Sequence, residues 1–183
     1  MKTSDLSKFD NSWYNPGRGG LIRTLWYFCN VLIMKNGWIP FTGLKVKLLR
    51  AFGAKIGKNV LFKPCVNVKY PWNLEIGDNV WIGENVWIDN LFKVRIGNNV
   101  CISQGAMLLC GNHNYKKVSF DLMVGEITID EGAWVGAMSV VCPGVTLQTH
   151  SVLSVGSVAS HNLEPYGIYS GIPCNKVRTR IIG

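Results

Sequence analysis

One five-residue phrase occurs three times at a spacing of 20 residues: Ile56-Gly57-Lys58-Asn59-Val60, Ile76-Gly77-Asp78-Asn79-Val80 and Ile96-Gly97-Asn98-Asn99-Val100. Within and beyond it runs an apolar beat of six: Ile56, Phe62, Val68; Ile76, Ile82, Ile88; Ile96, Ile102, Leu108; then, after a gap, Ile129, Val135, Val141, Leu147 and Leu153. Helices repeat at about 3.6 residues and strands at about 2, so a beat of six fits neither alone. It fits a solenoid of short strands and turns in which each coil stacks on a copy of itself.

The positions within each unit carry distinct demands. The first is a large apolar residue, and the fifth is small or β-branched, as in Val60, Val66, Val80, Val86, Val100, Ala106, Ala133 and Val145. Both point inward from the short sides of a triangular coil. The second position is often glycine (Gly57, Gly77, Gly83, Gly97, Gly136), which predicts a turn with unusual dihedrals. Stacking places Ile56, Ile76 and Ile96 in one column, Phe62, Ile82 and Ile102 in the next, and Val68, Ile88 and Leu108 in a third. The extra residues of the early coils predict a bulge at one corner.

The beat organises the chain into an arm at 1–53, a solenoid at 54–160 with a projecting loop at about 113–126, and a basic tail at 161–183. In the arm, Leu21 to Met34 reads as an apolar helix ended by Asn36-Gly37, and Leu44 to Phe52 as an amphipathic one. The loop contains His113-Asn114-Tyr115-Lys116-Lys117-Val118-Ser119-Phe120-Asp121, which does not fit the beat. Loops thrown out of rigid scaffolds commonly carry function. The tail ends with Lys176, Arg178 and Arg180.

Charge is unevenly spread: residues 1–70 hold 12 Lys/Arg against 2 Asp/Glu, and residues 71–183 hold 7 against 9. A basic arm favours an anionic membrane surface, a polyanionic substrate or phosphate groups; no nucleic-acid-binding motif accompanies it, so nucleic acid is not an expected partner. Its apolar helices must be covered by the first coil, by a neighbouring subunit or by a membrane interface. No apolar run reaches the roughly 20 residues a bilayer span needs, and the polar start lacks a signal-peptide pattern. The expected location is cytoplasmic, with peripheral contact at the inner membrane face. The six cysteines contain no C-x-x-C pair, so reduced packing residues and no metal site are expected.

Residues 54–180 resemble the hexapeptide-repeat acyltransferases, and among them the sugar O-acetyltransferases of galactoside, maltose and nodulation-factor type. Trp87-Ile88-Asp89-Asn90-Leu91, Arg50-Ala51-Phe52-Gly53-Ala54-Lys55-Ile56-Gly57 and Gly111-Asn112-His113-Asn114-Tyr115 look most like the colanic-acid-biosynthesis acetyltransferases. The resemblance implies an all-β, left-handed parallel β-helix, a homotrimer, and acetyl-CoA as co-substrate between neighbouring coils. It implies transfer of acetyl to a hydroxyl of a sugar, a polysaccharide precursor or a lipid-linked glycan. His113 then stands where the family has its catalytic histidine. A sugar hydroxyl is a poor nucleophile until a base takes its proton, and a neutral imidazole suits that task.

By the same resemblance Asn85 is an acceptor contact, joined by Asp89 and Asn90; a turn-corner role for Asn85 is the competing reading. The donor side falls on Trp134, Ala137, Val155 and Ser160, with Lys176 and Arg178 near the nucleotide phosphates. Gln148 and Ser154 stand where repeat glycines are common. Two other readings stay open: a small-molecule or xenobiotic acetyltransferase, which an acceptor panel separates, and a non-catalytic β-helix scaffold, which would not bind acetyl-CoA.

Overall fold

The computed structural model describes residues 3–183, and the first two residues of the arm lie outside the described residues. The fold class is the expected one, an all-β parallel solenoid with a short helical N-terminal region. Strands of two or three residues stack along the three faces of a triangular prism, and two longer strands of the tail bring the second face to seven strands against five on each of the others. The first face begins at Lys55–Ile56, the second at Leu61–Phe62 and the third at Asn67–Val68.

The registers place the beat in three columns. Ile56, Ile76, Ile96, Ile129 and Leu147 pair in sequence along the first face. Phe62, Ile82, Ile102, Val135 and Leu153 do so along the second, and Val68, Ile88, Leu108, Val141 and Ala159 along the third. All are buried, and each stack gains about 25 cal/mol per Å² of apolar surface removed from water. Ile96 pairs directly with Ile129 although the projecting loop intervenes, so the insertion leaves the stack undisturbed. The early bulge lies at the corner between the third and first faces, where Pro71–Asn73 forms a single 3-10 turn.

The glycines do a different job from the one expected. Left-handed backbone falls two residues later, at Asn59, Asn79, Asn85 and Asn99 and at their counterparts Cys65, Met138 and His150. Asparagine tolerates that region better than most residues. The second-position glycines are instead required by coil-to-coil approach: a Cβ at Gly83 would stand 2.5 Å from the Gln104 nitrogen, and one at Gly97 2.7 Å from the Glu131 nitrogen. The corner asparagines also form a ladder, Asn59 Nδ2 donating to Asn79 Oδ1 at 3.1 Å and Asn79 Nδ2 to Asn99 Oδ1 at 3.2 Å.

The arm closes the open end of the solenoid. Helix α1 (Gly20–Cys29) runs on through a π-helical turn at Asn30–Met34, and α2 is Thr42–Ala51. Trp26 Nε1 donates to Val68 O at 2.9 Å, Asn30 Nδ2 to Asn67 Oδ1 at 2.7 Å and Lys45 Nζ to Lys63 O at 2.9 Å. Lys45 is fully buried, and that burial pulls its pKa down. The opposite side of α1 and its extension leaves Leu21, Leu25, Phe28 and Leu32 exposed. No helix among the described residues is long and apolar enough to cross a membrane.

The tail is more ordered than a basic terminus. Gly167–Gly171 and Cys174–Thr179 form an antiparallel hairpin, and Ile168 pairs with Val152 to extend the second face.

Candidate active site

The projecting loop is a hairpin in its own right. Gly111–His113 pairs antiparallel with Leu122–Val124, His113 opposite Leu122. Asn112 Oδ1 accepts from the His113 nitrogen at 2.8 Å, Asn114 Oδ1 from the Lys116 nitrogen at 3.1 Å, and Lys117 Nζ pairs with Asp121 at 3.0 Å. Bonds from Ser119 and Lys117 hold the Asp121 carboxyl below its ordinary range. The arm ties the loop from outside: the Asp5 nitrogen donates to Val118 O at 2.8 Å, and the Phe9 ring lies 5.7 Å from that of His113.

His113 is fixed in one orientation. Its ring stacks on Phe120 at 4.5 Å, with 6° between the planes, and its Nδ1 lies 2.9 Å from Phe120 O. A carbonyl oxygen only accepts, so Nδ1 is the donor to it, and in the neutral ring the lone pair lies on Nε2. Phe120 reaches this geometry through left-handed backbone, φ +51°.

Asp89 and Asn90 share the corner from which the loop leaves. Asp89 Oδ1 is buried without a hydrogen bond; Lys69 Nζ stands 3.7 Å away, an ion-pair distance rather than a bond. Asn90 is correspondingly withdrawn from the acceptor role expected of it. It is fully buried, and its amide spans the coils, accepting from the Tyr70 nitrogen at 2.9 Å and donating to Tyr70 O at 2.6 Å. Cys110, beneath the loop, is also buried, and burial pushes its thiol up to about 12.

A second feature lies on the second face: a groove of about 650 Å³ bordered by Ser103, Gln104, Trp134, Ala137, Val155, Arg178 and Arg180. Trp134 Nε1 donates to Ser103 Oγ at 2.9 Å, which lays the indole along the wall. Arg180 bonds to Gly132 O and His150 O at 2.9 and 3.2 Å, leaving Arg178 exposed at the rim. Lys176 turns away to pair with Glu164 at 2.7 Å. Ser160 is exposed beyond the third face and does not border the groove. Ser103 and Gln104 were not singled out from sequence; Cys101 pairs with Trp134, so carrying the beat back one coil from Trp134 would have found both.

These features occupy different edges of the prism. The loop leaves the corner between the third and first faces, opposite the second face, and none of its residues borders the groove. Asn85 sits on the groove's side, at the corner between the second and third faces, exposed and at φ +58°. One chain therefore brings together Trp134, Ala137, Val155 and Arg178, and separately His113 and Asp89.

No protein-family model matches the chain. It is 33% identical over 179 residues, 97% of both chains, to the putative colanic acid biosynthesis acetyltransferase WcaF of Escherichia coli. It is 31% identical to the galactoside O-acetyltransferase of Escherichia coli over 72% of this chain and 66% of that one. Among solved structures, a galactoside acetyltransferase in complex with coenzyme A superposes with a TM-score of 0.75 at 25% identity, covering 87% of this chain and 80% of the other. The hexapeptide-repeat acetyltransferase VCA0836 of Vibrio cholerae, complexed with acetyl coenzyme A, has the same fold: TM-score 0.79, 20% identity and 88% of each chain covered.

Proposed function

The chain belongs to the hexapeptide-repeat acetyltransferases, and on that footing we propose that it moves acetyl from acetyl-CoA to a hydroxyl of a sugar or polysaccharide precursor, with His113 as general base. It is an acetyl-CoA-dependent acyltransferase; the acceptor and the residue roles are our reading. The observation that carries it is the His113–Phe120 pair, which leaves Nε2 as a directed acceptor for a hydroxyl proton.

The chemistry runs as follows. The acceptor hydroxyl gives its proton to Nε2 while its oxygen attacks the thioester carbon. The tetrahedral intermediate collapses, the C–S bond breaks, and the CoA thiolate leaves and recovers the proton from the imidazolium. The buried, protonated Cys110 has no part in this. The groove receives the donor, with Trp134 along the pantetheine arm and Arg178 and Arg180 toward the phosphates, where guanidinium pairs with phosphate well.

The placement of base and groove on opposite sides of the prism favours a site completed between copies of the chain, in agreement with the trimer expected from the family. The loop of one copy would meet the groove, and Asn85, of the next. Peripheral membrane contact forms part of the same reading. Residues 11–74 contain ten Lys/Arg and no Asp or Glu, and Trp38 and Phe41 project between the helices at 93% and 68% exposure. Aromatic and basic groups together suit the interface of an anionic leaflet.

The direct test is His113→Ala, assayed with acetyl-CoA and a panel of glycan precursors alongside soluble drug-like acceptors. Loss of turnover with acetyl-CoA affinity retained supports the role; undiminished turnover removes it.

A further inference from the structure

Between α1 and the third face lies a cleft of about 310 Å³ that the acetyl-transfer chemistry leaves unused. Its walls carry Arg23 and Lys35 from the arm, Lys69 from the first coil, and the aromatic rings of Tyr27, Tyr70 and Trp87. Arg23 and Lys35 are exposed, and neither takes part in an ion pair among the described residues. Lys69 has only the long contact to Asp89, at 3.7 Å. Two cations without a carboxylate partner, Arg23 and Lys35, and a third, Lys69, held only at ion-pair distance from Asp89, border a concave, partly apolar space, and such a surplus of positive charge recruits and holds a compact polyanion. Aromatic faces beside them complement the apolar faces of a pyranose ring.

The cleft's position ties it to the reaction. Asn67 and Trp87 are stacked neighbours on the third face, and Trp87 stacks in turn on Met107, the strand that leads into His113. Strand spacing puts the Met107 strand about 10 Å along the prism from the Asn67 strand, and the hairpin that carries His113 leaves the same coil. On the other flank, α1 presents Leu21, Leu25, Phe28 and Leu32 to the outside.

We propose that this cleft binds the diphosphate of the acceptor, so that the substrate is a sugar carrying a diphosphate at its reducing end. Arg23, Lys35 and Lys69 hold the phosphates, Trp87 and Tyr27 flank the first sugar, and the glycan extends toward His113. The inference rests on the sugar-acetyltransferase reading above. Two sources share this chemistry, a lipid-linked glycan and a soluble nucleotide sugar, and the flanking apolar stripe matches the first.

The test uses the full chain with excess coenzyme A present, so that the groove cations are occupied. Citronellyl diphosphate glucose, uridine diphosphate glucose and methyl glucoside are titrated calorimetrically into wild type and the Arg23→Gln/Lys35→Gln variant; both positions are exposed, and a melting curve checks the fold. Expected are binding of a diphosphate sugar at least tenfold tighter than methyl glucoside, a loss of at least tenfold in the variant, and displacement by inorganic pyrophosphate in wild type. Tighter binding of the citronellyl compound assigns the lipid-linked source; equal binding of the two diphosphates assigns the phosphates alone. Diphosphate sugars that fail to bind wild type, or that bind the variant equally, overturn the cleft assignment. A separate acetyl-CoA titration keeps the two readings apart: absence of donor binding removes the acetyltransferase reading, while the variant comparison still decides the cleft.

Discussion

His113 and Phe120 are joined twice, ring on ring at 4.5 Å and Nδ1 to carbonyl oxygen at 2.9 Å. The ring contact restricts imidazole rotation, and the backbone contact sets which nitrogen is free. Six residues of loop lie between the two, and the left-handed backbone at Phe120 is what turns its carbonyl back.

Phe120→Gly keeps the carbonyl and eases the positive φ while removing the ring. The expected result is a fall in kcat of about tenfold or more, since positioning of a general base contributes on the order of 10²–10⁴ in rate. The KM for acetyl-CoA should hardly move. Steady-state kinetics decide it, and an unchanged kcat would show the stacking to be dispensable.

The groove predicts an asymmetry among the tail cations. Arg178→Ala combined with Arg180→Ala should weaken acetyl-CoA about tenfold or more, because charge-assisted bonds to phosphate are each worth about 1.5–3 kcal/mol. Lys176→Ala, whose ammonium is engaged by Glu164, should leave the affinity within about twofold. Calorimetric titration of both variants tests this, and the reverse order would move the phosphate site to Lys176.

Gly97→Ala should destabilise the fold by about 1–3 kcal/mol, the usual cost of overpacking. The added Cβ meets the Glu131 backbone at 2.7 Å, where no side chain can swing aside. Gly144→Ala, with open space around it but φ +81°, should cost about 1 kcal/mol from backbone strain alone. Urea midpoints measured side by side would refute the close-approach explanation if Gly97→Ala proved neutral.

Cys110 provides the pH prediction. Burial raises its pKa from 9.0 to about 12, so the folded state keeps a proton that the unfolded state releases. A raised pKa means that this contribution to stability is complete below about pH 9 and is lost as pH rises from 9 toward 12. Alkylation of Cys110 in the native protein should therefore stay slow at pH 8, and Cys110→Ala should retain activity. Fast labelling without unfolding, followed by mass spectrometry, would contradict the buried-thiol assignment.

Trp38→Ser with Phe41→Ser should reduce co-sedimentation with vesicles containing phosphatidylglycerol, and added salt should weaken what remains. Equal sedimentation of the double variant would exclude this tip as the membrane contact. A change in oligomeric state instead would assign the two rings to a subunit interface.

The arm shows how far pattern reading goes and where it stops. Its helices were legible because their apolar spacing is local. That α1 turns Trp26 onto Val68 while leaving Phe28 outside was not, because a helix with so few polar positions, Arg23, Thr24 and Asn30, has no polar face to mark its orientation. Asn90 shows the same limit within the solenoid: its neighbours place it at the right corner, but only the approach of Tyr70 from the coil below takes up both ends of its amide.

By itself the sequence determined the solenoid, its three columns and the projecting loop, because a strict beat of six admits one way of burying every sixth residue. It also placed the loop that carries His113, since the long break in the beat between Leu108 and Ile129 is visible without coordinates. The tertiary structure decided that the glycines serve coil contact, that Lys176 is engaged elsewhere, and that His113 and the groove lie on opposite sides of one chain. Those outcomes depend on distances between residues far apart in sequence, set by how coils close and stack, and no local pattern encodes them.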